Sequence, residues 1–128
     1  MILIDTHIWI WWVSEPDRLQ RAHSEILRAS SVSLALSVIS CWEVAKLAEY
    51  GRIRLDRPVQ QWISAALAPP NLELLPLTSE IAVASTQLPG LFHRDPADQI
   101  IVATARVYSV PLLTEDTRIL DYPYVQLS

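Results

Sequence analysis

Short, continuous apolar runs alternate along this chain with longer segments in which apolar side chains recur every three or four positions. The short runs predict strands, because strands that are covered on both faces read as nearly unbroken apolar sequence. Such runs occur at residues 1–5 (MILID), 32–40 (VSLALSVIS), 72–77 (LELLPL), 110–116 (VPLLTED) and 125–127 (VQL). The pattern therefore predicts a sheet of four to five strands.

The periodic segments predict helices between these strands, at residues 14–29, 41–51, 58–68, 79–88 and 95–108. Strands that are separated by helices form a parallel sheet with helices on both faces. We therefore predict an α/β fold, a three-layer α/β/α sandwich around a central parallel sheet. The chain has no repeats and no obvious linker, so we expect a single domain over residues 1–128.

Composition narrows the function classes. The formal net charge of −4 argues against a broadly basic nucleic-acid binder. All basic residues except Lys46 are arginines, which suit bidentate phosphate contacts, so a local phosphate-binding patch stays open. The apolar N-terminus contains Asp5 and lacks a basic segment, and no run is long enough to span a bilayer. We expect a cytoplasmic protein that does not bind membranes.

Four acidic residues fall at predicted strand ends or on the helix turns that follow them. They are Asp5 after the first strand, Glu43 on the first turn of the helix after the second strand, Asp98 on the first turn of the late helix, and Asp116 after the fourth strand. Ligands of parallel sheets bind outside the carboxyl ends of the strands. We therefore expect these carboxylates to cluster at one edge of the sheet.

Each acid also has a local structural explanation. Asp5 and Asp116 are suited to turns or helix caps, and Glu43 has Lys46 one helical turn away as an ion-pair partner. These local roles do not explain why acids from distant segments converge on the same edge. We therefore favour a cluster with a chemical role.

Carboxylates held a few ångströms apart repel each other, and burial strengthens the repulsion. A hard divalent cation such as Mg²⁺ neutralises such a group and binds through oxygen ligands. A site of this kind activates water and stabilises the charge of a phosphoryl displacement. The lone cysteine and three histidines lack the spacing of a structural zinc site. The sequence thus predicts a metal-dependent phosphodiesterase or phosphatase.

Four segments carry a resemblance to a known family: ILIDTHIWIWW, SVISCWEVAKLAEYGRI, RDPADQIIVATARV and PLLTEDTRI. In order and spacing they resemble the signature segments of PIN-domain proteins, in particular the VapC-type toxin ribonucleases of bacterial toxin–antitoxin pairs. The resemblance implies cleavage of RNA with Mg²⁺ or Mn²⁺, a cognate antitoxin and a homodimer. It places the family's acidic quartet on Asp5, Glu43, Asp98 and Asp116.

Residues beside the quartet have open roles. Thr6 and Thr114 either orient the ligands or water, or only cap turns. Arg94 contacts a substrate phosphate or forms a salt bridge with Asp95. Asp95 begins the late helix as its N-cap, and only one branch of the resembling family uses this position as an acid of the site.

Two further features bear on partners. Trp9 and Trp12 lie on one side of the chain after the first strand, and this favours a protein interface there. The alternative to a nuclease is a non-catalytic PIN-like module that acts only by binding a protein partner. The intact acidic quartet favours the nuclease.

Overall fold

Four parallel strands form one sheet in the order β3-β2-β1-β4 in the computed structural model, which describes residues Met1–Ser128. The strands are β1 (Ile2–Ile4), β2 (Leu34–Ser37), β3 (Leu72–Leu75) and β4 (Leu112–Leu113). Ile4 pairs with Leu36 on one side and with Leu113 on the other. All four strands therefore end at the same edge of the sheet.

Seven helices cover the sheet. They are α1 (Thr6–Ser14), α2 (Arg21–Arg28), α3 (Val38–Glu49), α4 (Val59–Ala66), α5 (Ser79–Ala84), α6 (Pro96–Tyr108) and α7 (Thr117–Leu120). None of them combines the length and the apolar character that a membrane-spanning segment requires.

Adjacent residues of a strand pack in two separate hydrophobic cores, one on each face of the sheet. Ile4 belongs to a cluster with residues of α1, α2 and α4, whereas its neighbour Leu3 belongs to a cluster with residues of α6 and α7. Successive strand residues point to opposite faces, so both faces of the sheet are covered. This arrangement is the predicted three-layer α/β/α sandwich with a parallel sheet.

The structure corrects several predicted boundaries in the first half of the chain. The helix predicted at residues 14–29 is confirmed only over α2, because a separate helix, α1, begins at Thr6 and ends at Ser14, before Pro16. The predicted strand at 32–40 ends at Ser37, whose hydroxyl accepts the backbone N–H of Ile39 and caps α3. Glu43 therefore lies in the second turn of its helix and not in the first.

Later elements are also shorter than predicted, most clearly one helix and the last strand. The helix predicted at residues 79–88 ends at Ala84. The fifth strand is reduced to one isolated bridge between Leu112 and Leu127, so the sheet has four strands.

The predicted interface at Trp9 and Trp12 is wrong for Trp9. Trp9 is fully buried, its indole N–H donates to the carbonyl of Ala66 at 3.2 Å, and its ring packs edge-to-face with that of Trp62, with the ring centroids 5.1 Å apart. Trp12 is only partly buried and packs at the border of this core. Trp9 thus joins α1 to α4 inside the protein.

Replacing Trp9 is therefore expected to destabilise the fold. Trp9→Ala should lower the free energy of unfolding by about 3–5 kcal/mol, because it leaves a large cavity and an unpaired carbonyl. Trp42, which is 51% exposed, provides the matched control, and Trp42→Ala should change stability by no more than about 0.5 kcal/mol. Urea unfolding followed by circular dichroism measures both variants, and equal losses would contradict the assignment.

Candidate active site

Acidic residues from separate segments meet at the edge where the strands end. They are Asp5 between β1 and α1, Glu43 on α3, Asp98 in the first turn of α6, and Asp116 between β4 and α7. Burial, and after it the charge of neighbouring carboxylates, raises the pKa of Asp98 from 3.8 to about 8. Those neighbours are Asp5, Asp95, Glu43 and Asp116. The structure therefore brings the four predicted acids together.

Asp5 is held by donors on both of its oxygens. Its Oδ1 accepts the backbone N–H of Thr6 at 2.8 Å, and its Oδ2 accepts the hydroxyl of Thr114 at 2.7 Å. His7 Nδ1 lies 3.3 Å from the same Oδ2. Because His7 Nε2 accepts the backbone N–H of Glu115, a neutral His7 carries its proton on Nδ1, the nitrogen nearer to Asp5. Burial nevertheless raises the pKa of Asp5.

Thr6 and Ser40 fix the position of Glu43. The Thr6 hydroxyl donates to Glu43 Oε1 at 2.5 Å and is hydrogen-bonded to the Ser40 hydroxyl at 2.8 Å. Burial raises the pKa of Glu43, and the bond from Thr6 offsets part of that rise. The alternative ion pair with Lys46 does not form, since Lys46 Nζ donates to Glu49 instead.

Asp116 is the acid whose charge is best compensated. Burial alone would raise its pKa, but hydrogen bonds from Arg118 outweigh this effect and hold the pKa below its usual range. Asp116 Oδ1 accepts the backbone N–H of Arg118 at 2.9 Å, so the residue also caps α7. Asp116 therefore both caps a helix and belongs to the acidic cluster.

Asp95 likewise has both of the roles considered for it. Its Oδ1 accepts the backbone N–H of Asp98 at 3.0 Å and begins α6. One carboxylate oxygen each from Asp95, Asp98 and Glu43 also lie within 4.8 Å of one another, close enough to share a cation. The neighbouring Arg94 is exposed and forms no salt bridge, so the predicted pairing with Asp95 does not occur.

Four residues around the cluster were not predicted: His7, His93 and Arg118, which contact its acids, and Ser40, which is hydrogen-bonded to Thr6. His7 and His93 are each within five positions of an acid, in DTH and HRDPAD, and that proximity was a usable signal. His93 Nε2 is buried without a hydrogen-bond partner, although it lies 3.1 Å from Asp98 Oδ2. Arg118 is likewise two positions from Asp116, whereas its contact with Asp98 and the hydrogen bond between Ser40 and Thr6 form only in the tertiary fold.

The donors fit a hard divalent cation. The cluster offers carboxylate and hydroxyl oxygens, which Mg²⁺ and Mn²⁺ prefer, and no thiolate. Burial, and after it the neighbouring carboxylates, raise the pKa of Asp98, so a bound divalent cation would favour its charged form. A cavity of about 560 Å³ between Trp12 and Trp62 is lined by none of these acids. The candidate active site is therefore marked by its clustered carboxylates and not by this cavity.

Comparison with known proteins agrees with this geometry. A family model for the PIN domain matches residues 2–123. The chain belongs to the PIN domain family. This PIN domain is 36% identical over 118 residues to Ribonuclease VapC22 of Mycobacterium tuberculosis, a match that covers 92% of this chain and 88% of that protein.

Solved structures confirm the fold of this PIN domain. VapBC2 from Rickettsia felis, bound to a DNA fragment from its promoter, matches with a TM-score of 0.72 at 18% identity, covering 100% of this chain and 98% of the other. A toxin–antitoxin complex from Klebsiella pneumoniae matches with a TM-score of 0.68 at 22% identity, covering 100% and 97%. The predicted resemblance to PIN domains of the VapC type is confirmed.

The high pKa of Asp98 has a consequence for stability. Because the pKa is higher in the folded protein than in the unfolded chain, the folded state binds more protons between about pH 4 and about pH 8. The contribution of Asp98 to the free energy of unfolding of the metal-free protein therefore falls as the pH rises through this window, and levels off above it. Asp98→Asn should remove that part of the pH dependence and stabilise the metal-free protein at pH 8 by on the order of 2 kcal/mol.

Thermal unfolding in EDTA at a series of pH values measures this effect. Asp121→Asn is the matched control, since Asp121 is exposed and lies outside the cluster. If the unfolding temperatures of Asp98→Asn equal those of the wild type at every pH, the pKa of Asp98 is not raised by folding.

Proposed function

We propose that this PIN domain is a metal-dependent endoribonuclease and the toxin of a toxin–antitoxin pair, with residues 1–128 forming one nuclease domain. The observation that carries the proposal is the buried Asp98 carboxyl, surrounded by acids from distant parts of the chain. A packing role alone gives no reason to collect these charges in one place. The similarity to a protein named as a ribonuclease supports RNA as the substrate.

In this proposal Asp5 and Asp98 are the main ligands of Mg²⁺ or Mn²⁺, and Glu43 and Asp116 complete the site. The oxygen of Asp95 that lies near Asp98 and Glu43 makes it a further ligand candidate. A divalent ion bound there supplies charge neutralisation and an activated water molecule.

The protein's own side chains orient these acids. Thr114 fixes one oxygen of Asp5, and Thr6 fixes one oxygen of Glu43. The raised pKa of Glu43 brings this carboxylate closer to the range in which a base accepts a proton near neutral pH. We therefore assign Glu43 the role of taking a proton from the attacking water, and we expect products with a 5′-phosphate and a 3′-hydroxyl.

The proposal includes RNA, a cognate antitoxin and a second copy of the chain as partners. Arg94 is exposed next to the acids and is free to contact a substrate phosphate. Large apolar side chains are exposed on several elements, which gives protein partners apolar surface to cover. Among them are Trp42, Tyr50, Val83 and Leu91.

Cleavage of a labelled single-stranded RNA tests the catalytic part of the proposal. The wild type should cleave with Mg²⁺ or Mn²⁺ and stop in EDTA. Glu43→Gln should reduce the rate by about 100-fold or more, because residues that merely orient metal ligands are already worth about 10–100-fold. Glu49→Gln is the matched control on the same helix, since Glu49 is exposed and pairs only with Lys46, and it should cleave at the wild-type rate.

Two outcomes would go against the nuclease. Wild-type protein that binds Mn²⁺ but never cleaves RNA would favour the non-catalytic module, and so would cleavage that survives both Glu43→Gln and Asp98→Asn. A contaminating nuclease is recognised because its activity would be equal in all variants.

Expression in a bacterial host tests the toxin assignment. Induction of the wild type without an antitoxin should stop growth, whereas Asp98→Asn, made to the same level, should be tolerated because the metal site is lost. The amount of each protein is checked by immunoblot. Growth that is arrested equally by both proteins would argue against toxicity through RNA cleavage.

A further inference from the structure

Arg118 differs from every other arginine and lysine of the chain in its ion pairs. The other Arg and Lys ion pairs join residues at most four positions apart. Arg118 Nη2 instead lies 3.1 Å from Asp116 Oδ2 and 3.4 Å from Asp98 Oδ2, which is twenty positions away in the sequence. One guanidinium thus lies between two of the acids to which we assign a metal.

The contact with Asp98 is not that of a fixed structural bridge. The Arg118 side chain is 57% exposed, and its distance to Asp98 is at the outer limit of a hydrogen bond. The backbone N–H of Arg118 donates separately to Asp116 Oδ1, so this cap of α7 does not depend on the guanidinium. The side chain can therefore leave Asp98 without disturbing the helix.

A cation bound by Asp98 and Asp116 would compete with the guanidinium for the same oxygens. Two cations at this distance also repel each other. A released Arg118 would stay anchored at the rim of the site through its backbone. There its planar fork of N–H donors matches the oxygens of a phosphodiester, which arginine binds in a bidentate manner.

We propose that Arg118 is the counter-cation of the acidic site in the metal-free protein and becomes a phosphate-binding residue when a divalent cation takes its place. This inference rests on the proposed function and adds a substrate contact to it. It also gives the site an order of events: metal binding frees the arginine that then receives the RNA backbone.

Arg118→Gln distinguishes this proposal from a structural role, because the two predict opposite changes in the affinity for Mn²⁺. Removing a competing cation should tighten Mn²⁺ binding, lowering the Kd by about 2–10-fold in isothermal titration calorimetry. Removing a phosphate contact should weaken binding of a short fluorescent RNA in Ca²⁺ by about 10-fold and should make the salt slope shallower by about 0.7. A gel of the same samples verifies that the RNA stays intact.

Two variants serve as controls. Arg28→Gln removes an exposed arginine that forms no ion pair and lies shortly before β2 begins, near the opposite edge of the sheet. Arg118→Lys keeps the charge but loses the fork, so it should restore the wild-type Mn²⁺ affinity while RNA binding remains weakened. It also keeps the test possible if Arg118→Gln fails to fold.

Weaker Mn²⁺ binding by Arg118→Gln would show that Arg118 only supports the ligands, and RNA binding equal to that of Arg28→Gln would exclude a phosphate contact. Either result overturns the proposal while leaving the nuclease assignment intact. A wild type that binds neither Mn²⁺ nor RNA would instead refute the proposed function itself.

Discussion

The structure holds like charges together at the carboxyl edge of its sheet, and the buried carboxyl of Asp98 is where this constraint is strongest. What keeps Asp98 in place is the apolar segment that follows it. Ile101, Val102 and Ala105 of α6 are buried in the core on one face of the sheet. Electrostatic repulsion pushes the carboxyls apart, but a helix anchored by such burial cannot withdraw from the edge. The apolar residues of α6 therefore hold the acid that precedes them at the edge of the sheet.

The acids of the cluster are compensated to different degrees, and their pKa values diverge accordingly. Hydrogen bonds from Arg118 lower the pKa of Asp116, whereas burial raises the pKa of Glu43 and of Asp98. Divergence of this kind is typical of carboxyls that have different tasks in one site. It agrees with the different roles that we propose for Glu43, Asp98 and Asp116.

Hydroxyls and backbone amides supply most of the fixed support around the acids. Thr6 and Thr114 follow strands at the same edge and reach acids on other elements, so that each hydrogen bond also ties two segments together. Thr6 donates its backbone N–H to Asp5 and its hydroxyl to Glu43, which lies 37 positions away. The position of one acid is therefore linked to the position of another through a single residue.

The sequence by itself determined the parallel α/β fold and the edge at which the acids meet. Apolar strand runs followed by an acid carry that information locally, because all strand ends of a parallel sheet lie together. Element boundaries were less accurate: capping by Asp5 and Ser37 began helices earlier than apolar periodicity indicated. Only the tertiary structure decided which basic and hydroxyl groups serve the acids. Arg118 follows Asp116 by two positions, but its contact with Asp98, twenty positions away, exists only because α6 and α7 meet at this edge. The bond from Thr6 to Glu43 exists only because α1 packs beside α3, while Lys46 pairs with Glu49. Contacts of this kind depend on how separate elements pack, which the local pattern of residues does not specify.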